Sequence, residues 1–347
     1  MRWNSRARIS AVIGAVALLA ASCNRSPAEP DATGPRVYVT NEMSGDLTII
    51  DPQARQVVGR IALGKRPRGI TPSPDGALLY IALSGSPVAG PGIDEASLPP
   101  ADKGADGIAV FDVGQGRVLR ILRGISDPET VAVSPDGARL YVASEDSGQL
   151  VVMDARNGRI MAQVAVGEEP EGVAVSPDGA LALATSEGTN AAAVIDTSTM
   201  RVRGQIPVGQ RPRNVVFLSA DRTLIPGEND ASLTLIDPQA GRFVGRTVIP
   251  GENVRPMGLA VASGSIFVTT GRGGELVRVG PDLQVTGRVR VGERPWGVAA
   301  SADGRFLFTA NGPSNDVAMV DARSMQVVAR FPAGDRPWGI AMVATGH

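Results

Sequence analysis

The chain has 347 residues with 34 basic and 35 acidic side chains, one cysteine and one histidine. Those counts exclude an internal disulfide, covalent haem attachment, His or Cys metal clusters and a hydrolase built on an imidazole, because Cys23 and His347 lie near opposite ends without partners of their kind. At 43% hydrophobic and 20% charged, with 42 Gly and 26 Pro, the composition fits a turn-rich globular domain with an ordinary core and few long helices.

Arg2, Arg6 and Arg8 precede an apolar run from Ile9 to Ala21 that only Ser10 interrupts. The run is short for a membrane span and reads as an export signal. It leads into Leu19-Ala20-Ala21-Ser22-Cys23, which resembles a bacterial lipobox with Ala20 where that motif usually has Leu. The resemblance implies cleavage before Cys23, lipidation of Cys23 and a membrane anchor on the periplasmic side, on the outer membrane in preference to the inner. An ordinary secretory signal with an incidental cysteine is the other reading, but an idle lone thiol in an exported chain invites intermolecular pairing. Residues 1–22 carry three arginines and no acid, so the remainder has 31 basic and 35 acidic groups and a net charge of −4. A broad basic surface for nucleic acid is therefore disfavoured. Residues 23–34 are polar, with Pro27, Pro30 and Gly34, and are expected to form a flexible tether.

Residues 35–344 repeat one unit. Its first copy reads as short strands at Val37–Asn41, Leu47–Asp51 and Val57–Ile61, followed by a Gly-x-x-Pro-x-Gly-like link and a Ser-Pro-Asp-Gly turn at 73–76. The link prolines are Pro67, Pro128, Pro170, Pro212, Pro256, Pro295 and Pro337, separated by 61, 42, 42, 44, 39 and 42 residues. A period near 42 with four short strands per unit predicts an all-β fold, a seven-bladed β-propeller of four-stranded antiparallel blades, since one such sheet buries its faces only when neighbours pack around a ring. Asp51, Asp112, Asp154, Asp196, Asp237 and Asp321 recur where the third strand ends, with Gly280 as the exception, and read as turn caps. No link strand precedes Val37 and an unmatched strand, Gly339–Val343, ends the chain, so the C-terminal strand is expected to join the three N-terminal ones and close the ring.

Tyr38-Val39-Thr40-Asn41 is the signature of the YVTN family, and looser copies stand at Tyr80–Leu83, Tyr141–Ser144 and Phe308–Asn311. The chain resembles that family of seven-bladed propellers over all seven units. It looks most like a bacterial branch with a long second-unit loop and paired Arg-Pro-Trp-Gly motifs, whose relatives are encoded beside genes for pyrroloquinoline-quinone-dependent alcohol oxidation and export. The resemblance implies that neighbourhood and no particular reaction.

In a propeller, the links into the innermost strands and the loops between second and third strands share one face, where ligands approach the central channel. On this face the residues after the link prolines are Arg68, Glu129, Glu171, Arg213, Met257, Trp296 and Trp338, and those before them are Arg66, Asp127, Glu169, Arg211, Arg255, Arg294 and Arg336. Two readings follow. In one, Trp296 and Trp338 stack on a planar or apolar group while Arg66, Arg68, Arg211 and Arg213 hold carboxylate or phosphate, with Arg294, Arg336, Glu129 and Glu171 completing a site for a small anionic or aromatic ligand or a partner loop. In the other, the arginines neutralise Glu42, Glu145, Glu187 and Glu228 and the tryptophans cover backbone. The insertion at 84–107 carries Asp94, Glu95, Asp102 and Asp106 and is expected on the same face; without EF-hand spacing its acids read as solvated, and no metal or cofactor is expected.

Three functions compete. A noncatalytic binding or scaffolding module fits every feature. A lactonase-like hydrolase would rely on Glu129 or Glu171 with Arg68 or Arg213 as electrophilic support. A redox protein would have to hold a quinone noncovalently, since covalent haem and His-ligated copper fail on the counts.

Overall fold

A computed structural model describes Met1, residues 34–88 and residues 97–344. Residues 2–22 of the predicted signal, the lipidation residue Cys23, the tether through residue 33, Asp94, Glu95 and His347 lie outside the described residues. The 28 strands form seven four-stranded sheets, each antiparallel throughout, so the chain is a seven-bladed β-propeller as the repeat spacing predicts. Innermost strands are β4 (Pro67–Pro72), β8 (Pro128–Val133), β12 (Pro170–Val175), β16 (Val216–Ser219), β20 (Leu259–Ala262), β24 (Pro295–Ala300) and β28 (Pro337–Val343).

Closure follows the expected composite blade. The last strand, β28, pairs with β1 (Arg36–Asn41), which continues into β2 (Asp46–Asp51) and β3 (Gln56–Ala62). Val37 faces Met342, Tyr38 faces Ala341 and Val39 faces Ile340, so chain end and chain beginning share one ladder and neither leaves an open sheet edge there. The core lies between blades. One hydrophobic cluster joins Val37, Val39 and Ile50 to Phe308, Val317 and Met319 of the preceding blade, and another joins Tyr38 and Leu47 to Leu79 and Phe111 of the next. Successive side chains point to opposite faces and both faces of a blade meet a neighbour, so an inner strand such as β1 is buried almost throughout, while the outermost β3 has no fully buried residue.

The turns account for the repeated Ser, Asp and Gly. Ser73 Oγ donates to Asp75 Oδ1 at 2.5 Å and accepts from the Leu78 amide at 2.9 Å, while Gly76 takes φ 70°. Ser301-Ala302-Asp303-Gly304 makes the same bonds without its proline, with Gly304 at φ 67°. The third-strand aspartates cap: Asp51 Oδ1 accepts from the Gln53 and Ala54 amides, and Asp154 Oδ1 from those of Arg156 and Asn157.

Candidate functional site

The residue before the link proline is left-handed in six blades: Arg66 (φ 38°), Asp127 (45°), Glu169 (51°), Arg211 (54°), Arg294 (46°) and Arg336 (53°). Such conformations are unfavourable for residues with a Cβ and persist only where the surroundings hold them. The holding bond repeats. Carbonyls of Arg336, Arg66, Asp127, Glu169, Arg211 and Arg294 accept the amides of Glu42, Ser84, Glu145, Glu187, Glu228 and Gly312, the first residues after the second strands, at 2.9–3.3 Å. Each link residue thus stands beside the loop residue of its own blade. The remaining blade departs, with Arg255 N donating to Thr270 O at 2.9 Å beside a short 3-10 turn at Gly271–Gly273.

The glycine of the Pro-x-Gly link has a steric cause. A Cβ on Gly69 would stand 2.6 Å from the Glu129 carbonyl oxygen, on Gly172 2.6 Å from that of Arg213, on Gly258 2.4 Å from that of Trp296 and on Gly339 2.3 Å from that of Arg68. Innermost strands therefore pack backbone against backbone, and each glycine sets the depth of the next blade's site residue. Threonines secure the same carbonyls: Thr40 Oγ1 donates to Arg68 O at 2.7 Å and Thr269 Oγ1 to Trp296 O at 2.5 Å. In the two links that lack the glycine, Thr130 Oγ1 donates to Glu171 O at 2.5 Å and Asn214 Oδ1 accepts the Val215 amide at 2.6 Å.

The arginines meet the acids in two clusters. Arg68 lies in direct ion-pair contact with Glu129, with Glu42 at 3.9 Å and Glu145 at 3.8 Å, while Arg66 donates to Glu42 at 3.0 Å and to the Ser86 carbonyl at 2.6 Å. Arg213 contacts Glu187 directly, Glu228 at 2.7 Å and Glu171 at 3.1 Å, and Arg211 bridges Glu187 at 2.5 Å and Glu228 at 3.6 Å. Burial and the neighbouring charge of Glu171 push the carboxyls of Glu145 and Glu187 up to about 7 against the pull of the arginines. Glu228 goes the other way: despite its burial, the Arg213 charge and hydrogen bond hold its carboxyl below the usual range.

Trp296 and Trp338 stack on each other, with ring centroids 5.5 Å apart at 27°, and leave no slot between them. The Arg68 guanidinium lies 5.3 Å over the Trp338 ring, and those of Arg294 and Arg213 lie 4.8 Å and 5.5 Å from the Trp296 centroid. The result is a continuous ladder of guanidinium and indole across the channel mouth. Arg294 and Arg336 differ from the other four: among the described residues neither has a carboxylate at ion-pair distance. Burial pushes the Arg294 guanidinium down.

A cavity of about 1170 Å³ opens here, lined by Arg66, Arg68, Glu171, Arg211, Arg213, Arg294, Trp296, Arg336 and Trp338, with the insertion supplying Pro87, Val88 and Leu98–Ala101. Of the ten residues expected to form the binding site, Glu129 alone is absent from the wall, wholly buried under Arg68, and the buried Met257, Glu187 and Glu228 and the link residue Arg255 do not line the cavity either. Asp102 pairs with Lys65 at 2.7 Å, and Asp106 accepts the Gly85 amide at 2.6 Å and the Asp127 amide at 3.0 Å. Sequence reasoning missed a convergence: Asp127, Glu129 and Glu145 each bring a carboxylate oxygen within 4.8 Å of the others. Acids both before and after Pro128 were the available signal.

No family model and no curated protein matches the chain. Solved structures do. The periplasmic gluconolactonase of Pseudomonas aeruginosa is 20% identical with a TM-score of 0.72, over 89% of this chain and 99% of that one. Kuenenia stuttgartiensis hydrazine synthase is 22% identical with a TM-score of 0.66, over 79% and 89%. A dihydro-heme d1 dehydrogenase solved in complex with DHE is 18% identical with a TM-score of 0.63, over 91% and 77%. Such different enzymes at such identities have the propeller fold in common with this chain and carry no activity over to it.

Proposed function

We propose that this chain is a YVTN-type propeller, lipid-anchored through Cys23 on the periplasmic side, whose channel mouth binds a small anionic ligand as a noncatalytic module of an oxidation or transport system. The lipobox-like run supports the anchor, and the Tyr-Val-Thr-Asn signature supports the family. One observation carries the ligand class: among the described residues Arg294 and Arg336 have no acid partner while lining the cavity beside Trp296 and Trp338, whereas Arg66, Arg68, Arg211 and Arg213 are all engaged by glutamates. Unpaired guanidiniums beside apolar ring edges suit a carboxylate or phosphate joined to an apolar or planar body. The test is native mass spectrometry of the protein taken from its own membrane, followed by titration of the released molecule. Wild type is expected to retain an anion, and the Arg294→Ala/Arg336→Ala pair to weaken it at least tenfold; retention of affinity in that pair sinks the reading.

A second reading, hydrolysis of a lactone, rests on Glu145 and Glu187. Their carboxyls, pushed up to about 7, exchange a proton at neutral pH within ion-pair reach of Arg68 and Arg213, as a general base beside an electrophile requires. Turnover of an aldonolactone that falls at least a hundredfold in Glu145→Gln or Glu187→Gln would support it; absence of turnover in wild type removes it.

A further inference from the structure

We infer that Asp127, Glu129 and Glu145 form a binding site for a divalent cation of calcium size at the channel mouth. The three carboxylates come from three backbone anchors: the link before Pro128, the start of β8, and the loop after the second strand of the same blade. Their ligand oxygens lie within 4.8 Å of one another. Two oxygens bound to one Ca²⁺ at about 2.3–2.6 Å stand up to about 5 Å apart, whereas Mg²⁺ at about 2.0–2.1 Å draws them to about 4 Å or less. The three oxygens are therefore close enough to reach one cation once their side chains draw in, Ca²⁺ asks for less of that movement than Mg²⁺, and an all-oxygen donor set suits such a hard ion.

A second observation points the same way. Glu129 is 0% exposed, and its Oε2 accepts no hydrogen bond. The Arg68 guanidinium meets this carboxylate at Oε1, and neither oxygen accepts a hydrogen bond, so a fully buried carboxylate close to two other acids is left short of donors. Local charge is unbalanced as well. Arg66 and Arg68 face four acids, Glu42, Asp127, Glu129 and Glu145, and the nearby Lys103 is engaged by Asp146 and, at 3.8 Å, by Asp106. The positions are also pre-set: Asp127 accepts a hydrogen bond from Ser84 Oγ, and its carbonyl accepts the Glu145 amide at 3.0 Å. Since Asp127 and Glu145 line the cavity, the remaining coordination positions open into it, where water or an oxygen of a bound molecule completes the shell.

This site stands apart from the anion reading, which concerns Arg294 and Arg336. The experiment is calorimetric titration of EDTA-stripped full-length protein with CaCl₂ and MgCl₂, paired with Tb³⁺ luminescence excited through tryptophan, since Trp338 stacks on the arginine that touches Glu129. One Ca²⁺ per chain is expected with a Kd of about 0.1–1 mM, as in extracellular calcium modules, and Mg²⁺ is expected to bind at least tenfold more weakly. Glu129→Gln should weaken Ca²⁺ at least tenfold. If circular dichroism shows that variant unfolded, Asp127→Asn and Glu145→Gln on the cavity wall carry the same expectation. Arg294→Ala/Arg336→Ala should leave Ca²⁺ affinity unchanged while it tests the anion. Absence of Ca²⁺ heat and of sensitised Tb³⁺ emission in the native protein overturns the site, and so does Ca²⁺ binding that every folded carboxylate variant retains at native strength.

Discussion

Arg66-Pro67-Arg68 and Arg211-Pro212-Arg213 are the same tripeptide at the same place in two blades, yet their second arginines meet different surroundings. Arg213 stands among three close carboxylates, Glu171 and Glu187 from the preceding blade and Glu228 from its own. Arg68 touches one, Glu129 of the following blade, and holds Glu42 and Glu145 only at 3.9 and 3.8 Å. The tripeptide is therefore not the functional unit. What each arginine does is decided by which neighbouring blade carries the acids, and the two acid-bearing links, at Pro128 and Pro170, lie between the two arginine-bearing ones in the ring. With Arg211 reaching both Glu187 and Glu228, the second cluster comes closer to charge balance than the first, where Asp127 adds a further acid.

Removing the inner arginines breaks this comparison most severely. Arg213→Ala leaves three buried glutamates facing one another and should cost about 3–5 kcal/mol, read as a fall in the urea midpoint. Arg68→Ala removes one tight pair and two loose ones and should cost less, about 2–3 kcal/mol. Equal losses would show that the crowding around Arg213 has no energetic weight. Calcium sharpens the contrast: saturating Ca²⁺ should recover part of the loss in Arg68→Ala and none in Arg213→Ala.

The next effect is on pH dependence. Glu145 in the first cluster and Glu187 in the second are both raised from an ordinary 4.5 to about 7, chiefly by burial. A carboxyl raised in the folded state favours the protonated form there, so its stabilisation is complete below the unfolded value near 4.5 and is lost as pH rises through about 7. In EDTA, wild type should accordingly be more stable near pH 5.5 than near pH 8, by about 1–2 kcal/mol per group after solvent screening at the rim. Glu145→Gln and Glu187→Gln should each flatten the curve. With Ca²⁺ present, only the Glu145 contribution should shrink, because a cation favours the ionised form. A flat wild-type curve between those pH values removes the account of both groups.

Much of this was legible in the chain. The spacing of seven prolines gives blade number, the unmatched strands at 37 and 339 give the closure, and the Ser-x-Asp-Gly runs give turns that form with or without proline. Membership of the channel mouth was legible too, since both flanks of a link proline must reach one face. The pairing was not. Link residues in one blade touch link residues in the next, so Arg68 finds Glu129 across 61 residues and Trp296 finds Trp338 across 42. A linear pattern places side chains on a face without fixing the rotamers that decide whether an indole presents its ring to a ligand or to a guanidinium. The convergence of Asp127 with Glu129 and Glu145 escaped for a related reason: a left-handed residue before proline turns its side chain toward the loop, a direction that strand periodicity does not encode.

The smallest effect distinguishes the outer arginines. Arg66 is 15% exposed and is held from two sides, by Glu42 and by the carbonyl of Ser86 at the root of the insertion. Arg211 is 46% exposed and, though it reaches two glutamates, both also pair with the buried Arg213. Solvent screens the second arrangement and not the first, so Arg66→Ala should cost about 1–2 kcal/mol and Arg211→Ala below about 1 kcal/mol. The losses should also differ in place. Hydrogen exchange should rise at the amides of Ser84, Gly85, Ser86 and Val88 in Arg66→Ala, because the guanidinium ties the insertion to the link, and should stay at native levels around 187–190 in Arg211→Ala, where Arg213 remains. An Arg211→Ala variant that loosened its loop as much as Arg66→Ala loosened the insertion would mean that the outer arginines act alike, and that the asymmetry between the clusters ends at the buried pair.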